Sequence, residues 1–138
     1  MFTNFFIKMY KACKEGRRDI IELMIANGCT NLNDGLQGAC EGGHNEIINM
    51  MISLGATDYN SCLIAACRKN NIEIINMMIN LGANNYNDGL INSCSNIEIV
   101  KLMIELGANN YDDGLLYATL HDNLEIIHLM LHHGANRC

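Results

Sequence analysis

Residues 71–90 read NIEIINMMINLGANNYNDGL, and this stretch decides the fold because the chain repeats it. Four further versions align on a closing glycine, and their spacings are 27, 27, 25 and 27 residues. A fixed period of this size is the signature of a solenoid, in which stacked units bury a continuous core. The sequence therefore predicts a single repeat domain over 1–138, with units at 3–29, 30–56, 57–83, 84–108 and 109–138. The closing glycines are Gly28, Gly55, Gly82, Gly107 and Gly134.

The second half of each unit predicts a helix, which we call helix B. Within EIINMMINLG (73–82) and its counterparts, the second, third, fifth, sixth and seventh positions are apolar in every copy. Such a wide apolar stripe is typical of a helix covered by others on most of its circumference. The first position is Asp or Glu, which the positive end of a helix favours. The glycine at the end suits the left-handed residue that follows a helix.

The first half of each unit predicts a shorter helix, helix A. Its expected N-caps precede the apolar residues and are Asp34, Ser61, Asp88 and Asp113. The first copy is expected to begin at Thr3 or Asn4 and to use Phe5 and Phe6 to cover the open end. One position inside helix A is small, which lets two helices approach closely, and it holds Ala39, Ala66 and Ala118.

The connections from helix B to the next helix A are short and rich in asparagine, so they predict tight turns. Tyr59, Tyr86 and Tyr111 recur there at one offset. Their repetition indicates a structural ladder of stacked rings, with a contact strip for a partner as the alternative. Both roles are compatible, because a tyrosine ring can pack while its hydroxyl stays in water.

Four cysteines raise the question of a metal site. Cys13, Cys40, Cys67 and Cys94 lie 27 residues apart, one in each unit, where the fifth copy has Thr119. A spacing of one repeat, about 10 Å between packed helices, is too long for ligands of a single zinc. We therefore expect small buried side chains and no metal. His128 and His132 have the four-residue spacing of two helical metal ligands, but their positions belong to the polar outer face.

Composition restricts the functional classes. The net charge is −6, yet residues 1–18 carry five basic side chains and one acidic one, a local charge of +4. We interpret the basic segment as the polar face of a terminal repeat, with an acidic partner as the alternative. The negative net charge argues against a nucleic-acid partner, so we expect none. We expect no membrane either, because no apolar run approaches the ~18 residues of a span. No signal peptide is recognisable, so an intracellular location is expected.

No phosphate loop or nucleophile motif occurs, and we expect neither a cofactor nor an enzyme.

The stretch GACEGGHNEIINMMISLGA (38–56) resembles the ankyrin repeat, with its small residues, Gly-His, acidic-aliphatic run and Gly-Ala close. The resemblance implies an all-α, ankyrin-like α-solenoid of helical hairpins and a backbone-bonded role for His44. The family period is about 33 residues, so the β-hairpin fingers are expected to be shortened or absent. The proline-free, Asn/Ile-rich units also look like arrays of large DNA viruses of amoebae, although an AT-rich genome gives the same composition.

The resemblance implies a protein-protein interaction module, which binds a host protein if the chain is viral. Positions that vary between repeats are the expected contacts, because a stack needs uniformity only where it packs. The alternative is a structural segment of a larger array, or one that self-associates through uncapped terminal repeats with Met130 and Leu131 half exposed. The candidate partner-binding residues are Gln37, Glu41, Ile64, Arg68, Lys69, Asn92, Tyr117, Leu120 and His121.

Overall fold

The structure, a computed structural model, describes residues 3–135 and the side chains of residues 8–135. Ten helices and no strand occur within residues 3–135. The expected all-α fold built from helical hairpins is confirmed. The role expected for Phe5 and Phe6 lies outside the described side chains.

The helices fall into two compact units, 1–83 and 84–138. Odd-numbered helices are helix A of a repeat and even-numbered ones are helix B. In the first unit α1, α3 and α5 lie side by side, and in the second α7 packs beside α9. The bounds are α1 Thr3–Lys14, α2 Arg18–Ala26, α3 Leu32–Gly42, α4 Asn45–Leu54, α5 Tyr59–Arg68, α6 Ile72–Leu81, α7 Tyr86–Asn92, α8 Ile97–Leu106, α9 Tyr111–Leu120 and α10 Leu124–His132.

Helix A begins three residues earlier than the sequence predicts. The expected caps Asp34, Ser61, Asp88 and Asp113 are wrong, and Asn31, Asp58, Asn85 and Asn110 occupy the cap position. At α5 the Asp58 carboxylate accepts from the Ser61 amide at 3.2 Å, and the Ser61 hydroxyl donates to Asp58 at 2.8 Å. The predicted residues therefore stand in the first turn, where a carboxylate still meets the positive end of the helix.

Helix B buries a narrower stripe than its apolar pattern suggests. In α6 the side chains of Ile74, Ile75 and Met78 are fully buried, whereas Met77 and Ile79 are half-buried. The polar outer positions of the five B helices are exposed, including His128 and His132. The core of the three inner hairpins thus rests on three helix B positions, and that of the first and last hairpins on two, together with the apolar side of helix A.

The second unit departs from the regular repeat in two places. The two residues missing from the fourth repeat shorten α7, which has 7 residues where α5 and α9 have 10, rather than tightening the following loop. The buried Ser93 hydroxyl donates to the Gly89 carbonyl at 2.7 Å in the last turn of α7. Met130 was expected to be half exposed, and this is wrong because it packs into the space that Gly114 leaves on α9. Leu131 is half-buried.

The glycine that closes each repeat has a positive φ, and Gly82 isolates its effect. Its φ is 116°, and a Cβ added there would meet nothing within 4 Å. Gly82→Val should therefore lower the free energy of unfolding through backbone strain alone, by about 1–2 kcal/mol. Urea denaturation measures the loss, and Asn80→Val in the exposed last turn of α6 is the control for β-branching. A neutral Gly82→Val would contradict the capping role.

Candidate partner-binding surface

Three helices of the first unit present their variable positions on one side. The two variable residues of each helix are four apart, so they lie one above the other on the same side. We call this surface the A face, and it consists of Tyr10 and Lys14 on α1, Gln37 and Glu41 on α3, and Ile64 and Arg68 on α5.

Small residues beneath the A face set the distance between its helices. Ala39, Ala66 and the repeated cysteines are fully buried. A Cβ added to Gly38 of α3 would lie 2.3 Å from the backbone oxygen of Tyr10, closer than real atoms approach. The close approach of α1 and α3 is what brings side chains of neighbouring repeats within reach of each other. Ala118 is likewise buried in the second unit.

Glu41 lies at the centre of the A face and joins its three helices. Its carboxylate accepts a hydrogen bond from the Tyr10 hydroxyl and pairs with Lys14 Nζ and Arg68 Nη2, each at 3.8 Å. The hydrogen bond to Glu41, followed by burial, raises the pKa of Tyr10 above its ordinary value. The Glu41 side chain is only 14% exposed, whereas that of Arg68 is 53% exposed. Glu41 therefore positions its neighbours, and Arg68 presents charge to a partner.

The remaining candidates differ in accessibility. Gln37 and Ile64 are half-buried, and Lys69 is exposed directly after α5. In the second unit Asn92 is half-buried and its side chain donates to the Asp88 carbonyl at 2.8 Å. Tyr117, Leu120 and His121 are exposed on α9 and just after it. Leu120, at 68% exposure, is the most accessible apolar candidate.

The repeated cysteines are buried thiols, and burial raises the pKa values of three of them. Burial raises the pKa of the Cys13 and Cys67 thiols to about 12 and that of Cys94 to about 11. A hydrogen bond with Cys40, followed by burial, raises the pKa of Cys62. The thiolate is the form of cysteine that binds metal and reacts. Raised pKa values therefore disfavour both metal binding and thiol reactivity at these positions. Among residues 8–135, no three His, Cys, Asp or Glu side chains gather as a metal site would need.

Cysteine labelling checks this arrangement. At pH 8 we expect iodoacetamide to modify Cys29, which is half-buried, long before Cys13, Cys67 and Cys94. Raised pKa values leave almost no thiolate at that pH, and burial blocks the reagent. Mass spectrometry of peptides after timed quenching gives the order, with urea-unfolded protein as the control in which all sites react. Rapid modification of Cys67 in folded protein would contradict its burial.

Sequence reasoning missed an asparagine that bridges successive connections. The Asn33 side-chain oxygen accepts from the backbone amides of Thr57 and Asp58, at 2.8 and 3.1 Å. In the second unit Asn87 accepts from the Asn109 amide at 2.9 Å in the same way. These bonds tie together the connections where the family has its fingers. The recurring asparagine at the second position of helix A was the available signal.

Asparagines also begin most of the B helices, another role that the sequence analysis did not assign. The side chains of Asn71, Asn96 and Asn123 accept from first-turn amides at 3.0–3.4 Å. In the second repeat His44 takes that position, and its Nε2 lies 2.9 Å from the Lys14 carbonyl. Since a carbonyl only accepts, Nε2 carries the proton. The backbone-bonded role that the resemblance implies for His44 is therefore present.

The three repeated tyrosines stand at the first position of helix A and are half-buried. Within the second unit the expected ladder is wrong, because the Tyr111 ring stacks on His133, with centroids 4.9 Å apart, and not on Tyr86. His132 meets His133 edge to face at 5.5 Å. The ring of His133 is therefore held by aromatic contacts.

The fold and surface define an all-helical repeat protein whose adjacent helices share one outward face. A family model described as ankyrin repeats (3 copies) matches residues 9–88, more than half of the 138 residues. The chain belongs to the ankyrin repeat family. A comparison with curated proteins finds no match. None of the helices in the described part of the chain has the length and apolar character needed to cross a membrane.

Proposed function

We propose that the chain is a protein-protein interaction module that binds a protein partner through the A face. Ankyrin repeats are generally modules of this kind, and they are typically non-enzymatic scaffolds. The observation that carries the proposal is that helix A has one side of uniform residues and another side of variable residues. Its uniform small residues are buried, while its variable residues form one continuous surface across α1, α3 and α5.

The chemistry of the A face favours a partner with an acidic group beside an apolar one. Arg68 and Lys69 are exposed and basic, and Ile64 on the same helix offers apolar area. Arginine is enriched where binding energy concentrates, because its planar group makes several hydrogen bonds with little loss of freedom. The Glu41 carboxylate pairs with Arg68 at 3.8 Å, which restricts that side chain in part before a partner binds and so lowers the entropy lost on binding.

Two further features bear on the cellular location and the origin of the chain. The six described cysteines are unpaired, which suits a reducing intracellular compartment. The shortened, proline-free repeats resemble those of large DNA viruses of amoebae, and under that origin the partner is a host protein.

Capture from a cell lysate tests the proposal if it is paired with matched variants. Arg68→Glu should reduce recovery of a specific partner at least tenfold, whereas Lys101→Glu on the outer side of α8 should not. The two substitutions change the net charge equally, so a general charge effect predicts equal recovery. Circular dichroism must show both variants folded. Equal capture by wild type and Arg68→Glu would exclude the A face as the binding surface.

A further inference from the structure

The exposed apolar side chains of the last repeat form a ridge. Leu116, Leu120 and Leu124 are 56%, 68% and 69% exposed. Leu116 and Leu120 are four apart on α9 and lie on one side of that helix, and Leu124 begins α10. We call these three leucines the leucine ridge. Scattered exposed leucines need no explanation, but two on one side of a helix with a third at the start of the next helix favour an interaction surface.

The charge around the leucine ridge has one sign. Residues 109–135 contain four acidic side chains and no lysine or arginine, and the acidic residues are Asp112, Asp113, Asp122 and Glu125. Asp112 precedes Leu116 by four residues on α9, and Asp122 and Glu125 flank Leu124 along the chain. A surface with an apolar centre and an acidic border fits a partner with an apolar centre and a basic border.

The first repeat of the same chain offers that complement. A groove of about 520 Å³ between α1 and α2 has Ala12, Ile20 and Met24 on its apolar side. Its border carries three basic residues and one acidic residue, which are Lys8, Lys11, Arg17 and Glu15. Lys11 Nζ lies 4.0 Å from Glu15 Oε1, and Arg17 Nε lies 3.4 Å from Asp19 Oδ1. Both pairs are exposed, and such pairs are weak enough to exchange partners.

We infer that the leucine ridge of one copy docks into the α1–α2 groove of a second copy, head to tail. Within the chain α1 and α3 already pack against each other as neighbouring A helices, and the proposed contact is of the same kind. Lys8 and Lys11 stand where α3 has Gly35 and Gly38, so the two copies meet at a longer distance than neighbouring repeats. Their aliphatic stems lie along the leucines while the ammonium groups reach the carboxylates.

The contact uses different surfaces on the two copies, so it leaves one ridge and one groove open at the ends of any assembly. Such heterologous contacts give rings when the rotation closes and open chains when it does not. The mean mass should therefore rise steadily with concentration and should not stop at a dimer. Charge pairing should make the association weaker in high salt.

Sedimentation velocity over a concentration series tests the inference on the 1–138 chain. Association is expected at about 0.1 M salt and should be largely lost at about 1 M, where the screening length falls from about 10 Å to about 3 Å. Leu120→Asp should abolish it, while Leu54→Asp, an exposed leucine on α4, should leave it intact. A monomer at every concentration, or equal effects of the two substitutions, would overturn the inference.

A charge exchange gives the sharper test. Lys8→Glu/Lys11→Glu and Asp113→Lys/Glu125→Lys should each remain monomeric alone, and an equal mixture of the two should associate. Failure of the mixture to associate would also overturn head-to-tail docking. These outcomes are independent of partner binding, because the capture experiment depends on Arg68 of the A face.

Discussion

Ile75→Ala is expected to lower the free energy of unfolding by about 2–5 kcal/mol, because it removes part of a fully buried side chain and leaves a cavity. Asn76→Ala, one residue along α6, is expected to change it by less than about 0.5 kcal/mol, because Asn76 is exposed and holds no cap or buried bond. Urea denaturation followed by circular dichroism measures both.

Because the two residues are neighbours in α6, each substitution serves as the control for the other. Both substitutions introduce alanine into the interior of the same helix, so differences in helix propensity stay below about 0.7 kcal/mol. What separates them is the side of α6 that each residue occupies. Equal losses would show that the buried face of helix B has been assigned wrongly in this repeat.

Gly38→Ala should destabilise the chain by about 2–3 kcal/mol, although alanine favours helices over glycine. The new methyl group would lie 2.3 Å from the Tyr10 oxygen and 3.3 Å from the Lys14 nitrogen. These are backbone atoms, so α1 and α3 must separate to accept it. The helix propensity gain of about 1 kcal/mol offsets only part of that cost.

Gly35→Ala on the same helix is the matched variant. Its methyl group would meet the Met51 sulfur at 2.8 Å and the Cys13 sulfur at 3.1 Å, which are side-chain atoms that can shift. Thermal and urea denaturation should therefore show a smaller loss for Gly35→Ala than for Gly38→Ala. If Gly38→Ala is neutral or stabilising, α1 and α3 do not pack at the distance described.

The repeat period and helix B could be predicted from the sequence because both depend on a pattern within a few turns of chain. The start of helix A could not, since NLND (31–34) and its counterparts offer several side chains able to cap. Asn31 and Asp34 are equally plausible by residue type. Which of them caps helix A depends on the position at which the chain leaves the preceding helix. Leu32 is half-buried and forms the first residue of α3.

The candidate surface was predictable only in part. Variation between repeats pointed to Glu41 and Arg68, but the pairing of Glu41 with Tyr10, Lys14 and Arg68 depends on the distance between neighbouring helices. The same holds for Asn33, whose bonds reach the next connection. The division into two compact units falls at the start of the fourth repeat, which is also the one repeat whose spacing drops from 27 to 25 residues.

Backbone chemical shifts and nuclear Overhauser contacts test most directly the central claim that two-helix repeats join without fingers. We predict helical shifts that begin at Tyr59 and at Tyr86, with Asp58 and Asn85 as the preceding caps, and no cross-strand contacts in the connections. Extended shifts over Ala56–Asp58 together with cross-strand contacts would contradict the account, because a strand pair there would move every helix A residue off the face assigned to it.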